Sequence, residues 1–200
     1  YMFRETKSRK SEETKKRIIE CAQRLFQQKG FEATSVREIT EAAGCAKGTF
    51  YLYFETKTDL LVHMAYRLFE NMDNIISAEL SAMNSDPFDQ IDKLLGRLCL
   101  FASESNINIS LFHTSEILGI LSERYRVDYY FNIIIEKISA FLDEGIKRGY
   151  FRRLDSGLYG KIIFGIAHHM LESAVLHEYP ADMISVKNEV ALIIRKILEK

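Results

Sequence analysis

The sequence predicts an all-α protein of about nine helices, on three observations. Apolar residues recur at three- and four-residue spacing through most of the chain. No stretch alternates apolar and polar residues between turn signals, as a half-buried strand would. Caps, glycines and two prolines punctuate the chain at helical intervals. With 200 residues and 47% apolar content, the chain can bury one large core or two modest ones, which excludes a disordered tail protein.

Ile18, Ala22, Leu25 and Phe26 form the buried stripe of a first helix that ends at Gly30. Ser35 then caps a second helix, and Glu38 stands three residues on, where its carboxylate reaches back to the cap's own N–H. Val36, Ile39 and Ala43 are the inner face of this helix. Gly44 tolerates the positive φ that stops it, and Cys45 and Ala46 are small enough to let the next helix approach closely. That third helix starts near Ala46 or Lys47. Lys47, Gly48 and Thr49 are short or cationic, as suits a helix start pressed on base edges, while Phe50 and Phe54 point inward and Tyr51 and Tyr53 are left to meet phosphates.

Two short helices joined by a Gly-containing turn define a helix-turn-helix, a motif that enters the DNA major groove. Thr56 caps the following helix with Asp59 as its partner, and Lys57 is presented from the same turn. These nine positions, Thr34, Ser35, Arg37, Lys47, Gly48, Thr49, Tyr51, Tyr53 and Lys57, are the candidate DNA contacts. Base reading is expected of Lys47, Gly48 and Thr49, and phosphate contact of the others.

The stretch from residue 14 to residue 62 resembles the TetR family of bacterial transcriptional regulators. The resemblance rests on Val36-Arg37-Glu38-Ile39, Ala43-Gly44, Gly48-Thr49-Phe50-Tyr51, Tyr53-Phe54 and Lys57 before Leu60. The sequence departs from the family at Ala46, where a small hydroxyl residue is common, and at Tyr53, where a histidine is common. The resemblance implies a homodimer bound to palindromic operator DNA. It also implies that the last two helices pair with their mates as a four-helix bundle, and that an effector in the C-terminal part releases a repressor.

Beyond Thr56 a long helix runs toward Met83, with Leu60, Leu61, Met64, Leu68 and Met72 on one side. Asp86 and Pro87 restart the chain as cap and first helical residue, ahead of a stripe of Ile91, Leu94, Leu95, Leu98 and Phe101. Helices are expected near 107–121 and 124–148. Gly145, Gly149 and Arg152-Arg153 mark a turn, after which Asp155 or Ser156 caps a helix to about Glu178, and Pro180 separates it from a last helix at about 183–199. The expected division is a DNA-binding domain at 1–55 and an effector-binding and dimerisation domain at 56–200.

Charge agrees with that division. Residues 1–60 carry 12 Lys+Arg against 9 Asp+Glu, and residues 61–200 carry 15 against 19, so the positive end is the DNA end. The basic run from Arg4 to Arg17 leads into the first helix as a candidate arm.

Ile162, Ile163, Ile166, Met170 and Val175, with Ile184, Val190, Ile193, Ile194 and Ile197, exceed what one face of a small body needs and are the candidate dimer surface. Gly157, Gly160 and Gly165 would admit a close helix there. Phe101, Phe112, His113, Glu116, Tyr129, Tyr130 and His169 are the candidate effector-binding residues, aromatics with a few polar groups.

A rival reading takes His113 with Glu116 and His169 with Glu172 as metal ligands in a helical bundle, as a metal-binding protein or metalloenzyme would. The order His-x-x-Glu is the reverse of the di-iron motif, which weighs against it. No cofactor and no catalytic motif is expected, so the protein is read as a regulator and not an enzyme. Three cysteines without a C-x-x-C pair fit a reducing compartment, and no leader or membrane-length apolar run is present, so a soluble cytoplasmic protein is expected.

Overall fold

A computed structural model of the chain describes residues 2–83, 86–104, 117, 119–121, 127–175 and 182–200, without side chains at 2–9, 104, 127–128 and 170–175. The described residues form eight bounded helices and no strand: α1 Met2–Lys29, α2 Val36–Ala42, α3 Lys47–Phe50, α4 Lys57–Leu80, α5 Pro87–Glu104, α6 Val127–Lys147, α7 Ser156–Val175 and α8 Met183–Leu198. Ile117 and residues 119–121 are also helical and mark a ninth segment. The all-α expectation therefore holds.

The chain divides into two compact units. The first runs to Leu68 and includes Ile117 to Ile120 among its described residues; the second holds Phe69 onward, apart from that segment. The core of the first unit joins Ile18, Ala22 and Phe26 of α1 to Phe31, Ile39, Phe50, Phe54, Leu60 and Leu61, all buried. Phe26 meets Phe31 edge-on at 5.2 Å between ring centroids, and Phe50 lies 5.6 Å from Phe54. Burying this many aromatic and branched side chains is what lets three short helices hold one geometry.

In the second unit α6 packs on α7, and α8 on α5 and α7. Leu95, Phe141, Leu142, Phe151, Ile163, Val190, Ile194 and Leu198 form its main core. α4 stops at Leu80, three residues before the expected Met83, because Gln90 donates its side-chain N–H groups to the carbonyls of Glu79 and Ala82, each at 2.9 Å, and so closes the helix end.

The expected caps are in place at three helix starts. Thr56 Oγ1 accepts from the Asp59 N–H at 3.0 Å, Asp86 Oδ1 accepts from Phe88 at 2.8 Å, and Asp155 Oδ1 accepts from Leu158 at 3.0 Å. At Gly160 a Cβ would lie 2.3 Å from Ser139 Oγ, so this glycine serves the contact of α6 with α7 inside the chain, and not the approach of a second subunit.

Candidate nucleic-acid interface and body cavity

The helix-turn-helix is built by local chemistry. Ser35 is in extended conformation, its Oγ accepts from the Glu38 N–H at 3.3 Å, and Glu38 Oε2 accepts from the Ser35 N–H at 2.9 Å and its hydroxyl at 2.8 Å. Lys29 at the end of α1 donates to the other carboxylate oxygen. The Lys29 ammonium, followed by the Ser35 N–H and hydroxyl, holds the Glu38 carboxyl at about 2, well below its ordinary 4.5. Gly44 takes φ +62° in the turn, and the Cys45 N–H returns to the Thr40 carbonyl at 3.0 Å. Burial pushes the Cys45 thiol up, which favours its protonated form beside the turn.

α3 follows as one turn, capped by Ala46 without a side-chain hydrogen bond, as the missing hydroxyl there implies. Its chain continues into tight turns in which Leu52, Tyr53 and Phe54 donate to Thr49, Phe50 and Phe50 carbonyls at 3.3, 3.0 and 3.0 Å. Phe50 is buried beneath, so the opposite surface carries exposed Lys47 and Gly48, half-buried Thr49, and Tyr51. Leu52 is the most exposed large apolar side chain among the described residues of this unit, at 79%, and sequence reasoning passed over it. Its signal was an apolar residue in a run whose inward positions, Phe50 and Phe54, were already filled.

The remaining candidate contacts divide in two. Ser35 and Arg37 are exposed, and Arg37 pairs with Glu41 at 2.7 Å, which raises the guanidinium's pKa further. Thr34, Tyr53 and Lys57 are drawn into the unit itself. Thr34 is 2% exposed and donates to the Gly30 carbonyl at 2.8 Å. The Tyr53 hydroxyl lies 3.0 Å from Ser11 Oγ and donates to the Ser11 carbonyl at 3.1 Å. Lys57 donates to the Phe31 carbonyl at 2.6 Å and the Glu32 carbonyl at 3.3 Å. The basic run before Lys10 is helical in α1, and its side chains lie outside the described residues.

The second unit holds a cavity of about 90 Å3. Its wall is almost wholly aliphatic, with Ile76, Leu94, Leu98 and Ile134 among the lining residues. Phe164 and His168 of α7 complete one side, His168 lying 5.3 Å from the Phe164 ring and 5.4 Å from that of Phe131. Of the candidate effector residues, Phe101, Tyr129, Tyr130 and His169 do not line this cavity. Tyr130 stacks on Phe69 at 5.2 Å, Tyr129 is 58% exposed, and His169 is exposed one position beyond the histidine that does face inward. Phe112, His113 and Glu116 lie outside the described residues, as does the side chain of Glu172. Among the described residues no group of three His, Cys, Asp or Glu side chains is placed to hold a metal.

The candidate dimer residues separate by helix face. Ile163, Val190 and Ile194 are buried in the core of their own chain, and Ile197 packs on it. Ile162 is 39% exposed, Ile166 is half-buried, and the side chains of Met170 and Val175 lie outside the described residues. Ile184 and Ile193 of α8 are exposed as well, and so is Leu158, one turn before Ile162, which was not singled out from the sequence. No helix among the described residues is long and apolar enough to cross a membrane.

These features are those of a helix-turn-helix protein with a separate helical body. Residues 18–64 match the family model described as bacterial regulatory proteins, tetR family. The match makes the head, residues 18–64, similar to the DNA-binding part of that family. It is 33% identical over 126 residues to the HTH-type transcriptional regulator TtgR of Pseudomonas putida, a match covering 61% of this chain and 60% of TtgR, so the alignment spans about three fifths of that relative's length.

Two solved structures share the fold. NalD of Pseudomonas aeruginosa, the secondary repressor of the MexAB-OprM multidrug efflux pump, matches with a TM-score of 0.75 at 19% identity, over 95% of this chain and 98% of that one. The transcriptional regulator FadR from Bacillus subtilis, in complex with stearoyl-CoA, matches with a TM-score of 0.65 at 23% identity, over 89% and 96%.

Proposed function

We propose that the chain is a sequence-specific DNA-binding transcriptional regulator: a cytoplasmic homodimeric repressor released from a palindromic operator by a small apolar effector, and not an enzyme. The observation that carries this reading is the surface of α3, where Lys47, Gly48, Thr49 and Tyr51 face outward over a fully buried Phe50 in a matched TetR-family head. Lys47, Gly48 and Thr49 read base edges, while Ser35, Arg37 and Tyr51 hold phosphates. Thr34, Tyr53 and Lys57 take part in the same interface as braces, since their polar atoms fix α1, the loop before α2 and the turn after α3 to one another. The DNA-binding domain is residues 1–55, and effector binding and dimerisation belong to residues 56–200.

A single small head buries too little DNA surface for tight, specific binding, so two heads on a two-fold site supply it. Exposed Leu158 and Ile162 and half-buried Ile166, at helical spacing on α7, with exposed Ile193 on α8, form the apolar surface for that pairing. The effector occupies the cavity of about 90 Å3 and acts by binding the released state more tightly than the DNA-bound one. The stearoyl-CoA held by the Bacillus subtilis relative makes acyl compounds the first effectors to test.

The test is anisotropy of a labelled duplex, selected for binding, titrated with the protein and then with a lipophile panel. Release by a panel member with restoration at higher protein concentration supports the reading. Binding that no lipophile relieves removes the effector from it, and absence of any preferred duplex removes the regulator.

A further inference from the structure

The cavity of the second unit lies where two buried clusters meet without closing on each other. Phe141, Ile163 and Ile194 belong to the main cluster, Ile76, Leu94 and Ile134 form a smaller one, and all six line the same space. We infer that this cavity is a dry binding site for an unsubstituted hydrocarbon group of about four or five carbons, the part of the effector that the body buries; this rests on the effector reading proposed above.

The wall sets the chemical class. Among the described residues it presents almost no polar surface: its side chains are Ile, Leu, Met, Phe and Ala, with the His168 imidazole packed 5.3 Å from the Phe164 ring and 5.4 Å from that of Phe131. A hydroxyl, amine or carboxylate inside would be stripped of water and given no hydrogen bond in return. Water itself lacks partners there, and apolar cavities of this kind stay dry. A plain hydrocarbon group meets neither cost.

The volume sets the size. An apolar cavity of about 150 Å3 lined by Leu, Ile and Phe takes one benzene. At about 90 Å3 this one is about three fifths as large, so six carbons scale to about four, or five with small side-chain adjustments. A stearoyl chain is far too long to be held inside it.

The position sets the consequence. Ile76 comes from α4, Leu94 from α5, Ile134 from α6 and Ile163 from α7, so one guest touches four helices. Side chains that face a void lack the dispersion contacts a packed neighbour supplies, and a guest restores them to both clusters at once. The folded body therefore binds the guest and the unfolded chain does not, which raises the unfolding midpoint.

The experiment is headspace partition of butane, pentane, benzene, octane and 1-butanol over solutions of the full chain and over buffer, with thermal unfolding followed alongside. It is repeated with Leu98→Ala, which takes three carbons from the wall, and Ala167→Leu, which adds three. Butane or pentane is expected to enter saturably, one per chain, and to raise the unfolding midpoint. Its affinity should exceed that for 1-butanol by at least about tenfold, since the hydroxyl would be buried unpaired, and that for benzene and octane similarly, since they overfill the space. Leu98→Ala should move the tightest guest to benzene or octane, and Ala167→Leu should abolish uptake of pentane.

A preference of the unaltered chain for octane or benzene overturns the size argument, and 1-butanol bound as tightly as pentane overturns the class. A tightest guest unmoved by Leu98→Ala, or pentane uptake that survives Ala167→Leu, places the guest elsewhere and overturns the site. No uptake of any hydrocarbon overturns the inference, while release of a bound duplex by another lipophile would leave the effector reading standing. Uptake as expected, with no lipophile releasing the duplex, would support the site and overturn its role in the effector reading.

Discussion

The Lys57 ammonium sits 4.1 Å over the centroid of the Phe31 ring and donates to the Phe31 carbonyl at 2.6 Å, so one side chain clamps the loop between α1 and α2 twice. A cation over an aromatic face and a charged donor on a carbonyl each favour the same lysine position. Replacing Lys57 by Met keeps the stem and removes both, and should lower stability by on the order of 1.5 kcal/mol. Operator affinity should fall with it, while the slope of log affinity against log salt changes by much less than the one unit or so that a lost phosphate contact removes. Urea unfolding and a salt titration check both; a slope lowered by about one at unchanged stability would assign Lys57 to phosphate instead.

The second prediction concerns acid. The folded value of Glu38, about 2, lies below its ordinary 4.5, so its ionised form adds stability that is complete above 4.5 and is lost as pH falls toward 2. Glu38→Gln removes that pH-dependent part and weakens the cap on α2. The gap in stability between the original chain and the variant should be widest at about pH 6 and narrow steadily below about pH 4.5, read by chemical denaturation across that range. A gap that is constant with pH would show that Lys29 and Ser35 do not hold the carboxylate.

Leu52 supplies a third. An exposed side chain contributes little to folding, so Leu52→Ala should change stability by no more than about 0.5 kcal/mol. In the proposed complex its methyl groups meet a thymine methyl, and the substitution should cost on the order of 1 kcal/mol of discrimination at one A·T position. Binding to a set of single-base operator variants checks it; equal loss on every variant would place Leu52 outside base reading.

Neighbouring isoleucines on α7 and α8 give a fourth. Ile162→Lys puts a charge on the exposed face and should shift the protein toward monomer in sedimentation with its fold intact, whereas Ile194→Ala opens the core and should cost about 2–5 kcal/mol of stability. Were Ile162→Lys to leave a dimer unchanged at micromolar concentration, the pairing surface would lie elsewhere.

What the sequence disclosed was set by how local each cause is. The Ser35 and Glu38 cap, the Gly44 stop, and Asp86 before Pro87 are decided within four residues, and all three can be read directly. The family pattern sits on those same local features. The cavity is different, because adjacent helical residues point about 100° apart and only the neighbouring helices decide which of them is inside. His168 and His169, Ile162 and Ile163, and Ile193 and Ile194 are pairs that composition cannot separate, and in each pair one member faces in and the other out. Tyr53 shows the same limit over a longer range: its hydroxyl is tied to Ser11, 42 residues away, a partner that no local motif announces.

Whether this chain reads a DNA sequence is measured most directly by selection of bound duplexes from a random library at near-physiological salt, followed by titration of the winner against scrambled DNA. The expected result is an enriched palindrome bound at least about a thousandfold more tightly than the scrambled duplex, with Lys47→Ala relaxing discrimination at one position in each half-site. No enriched sequence, together with affinity that disappears uniformly as salt is raised, would contradict it.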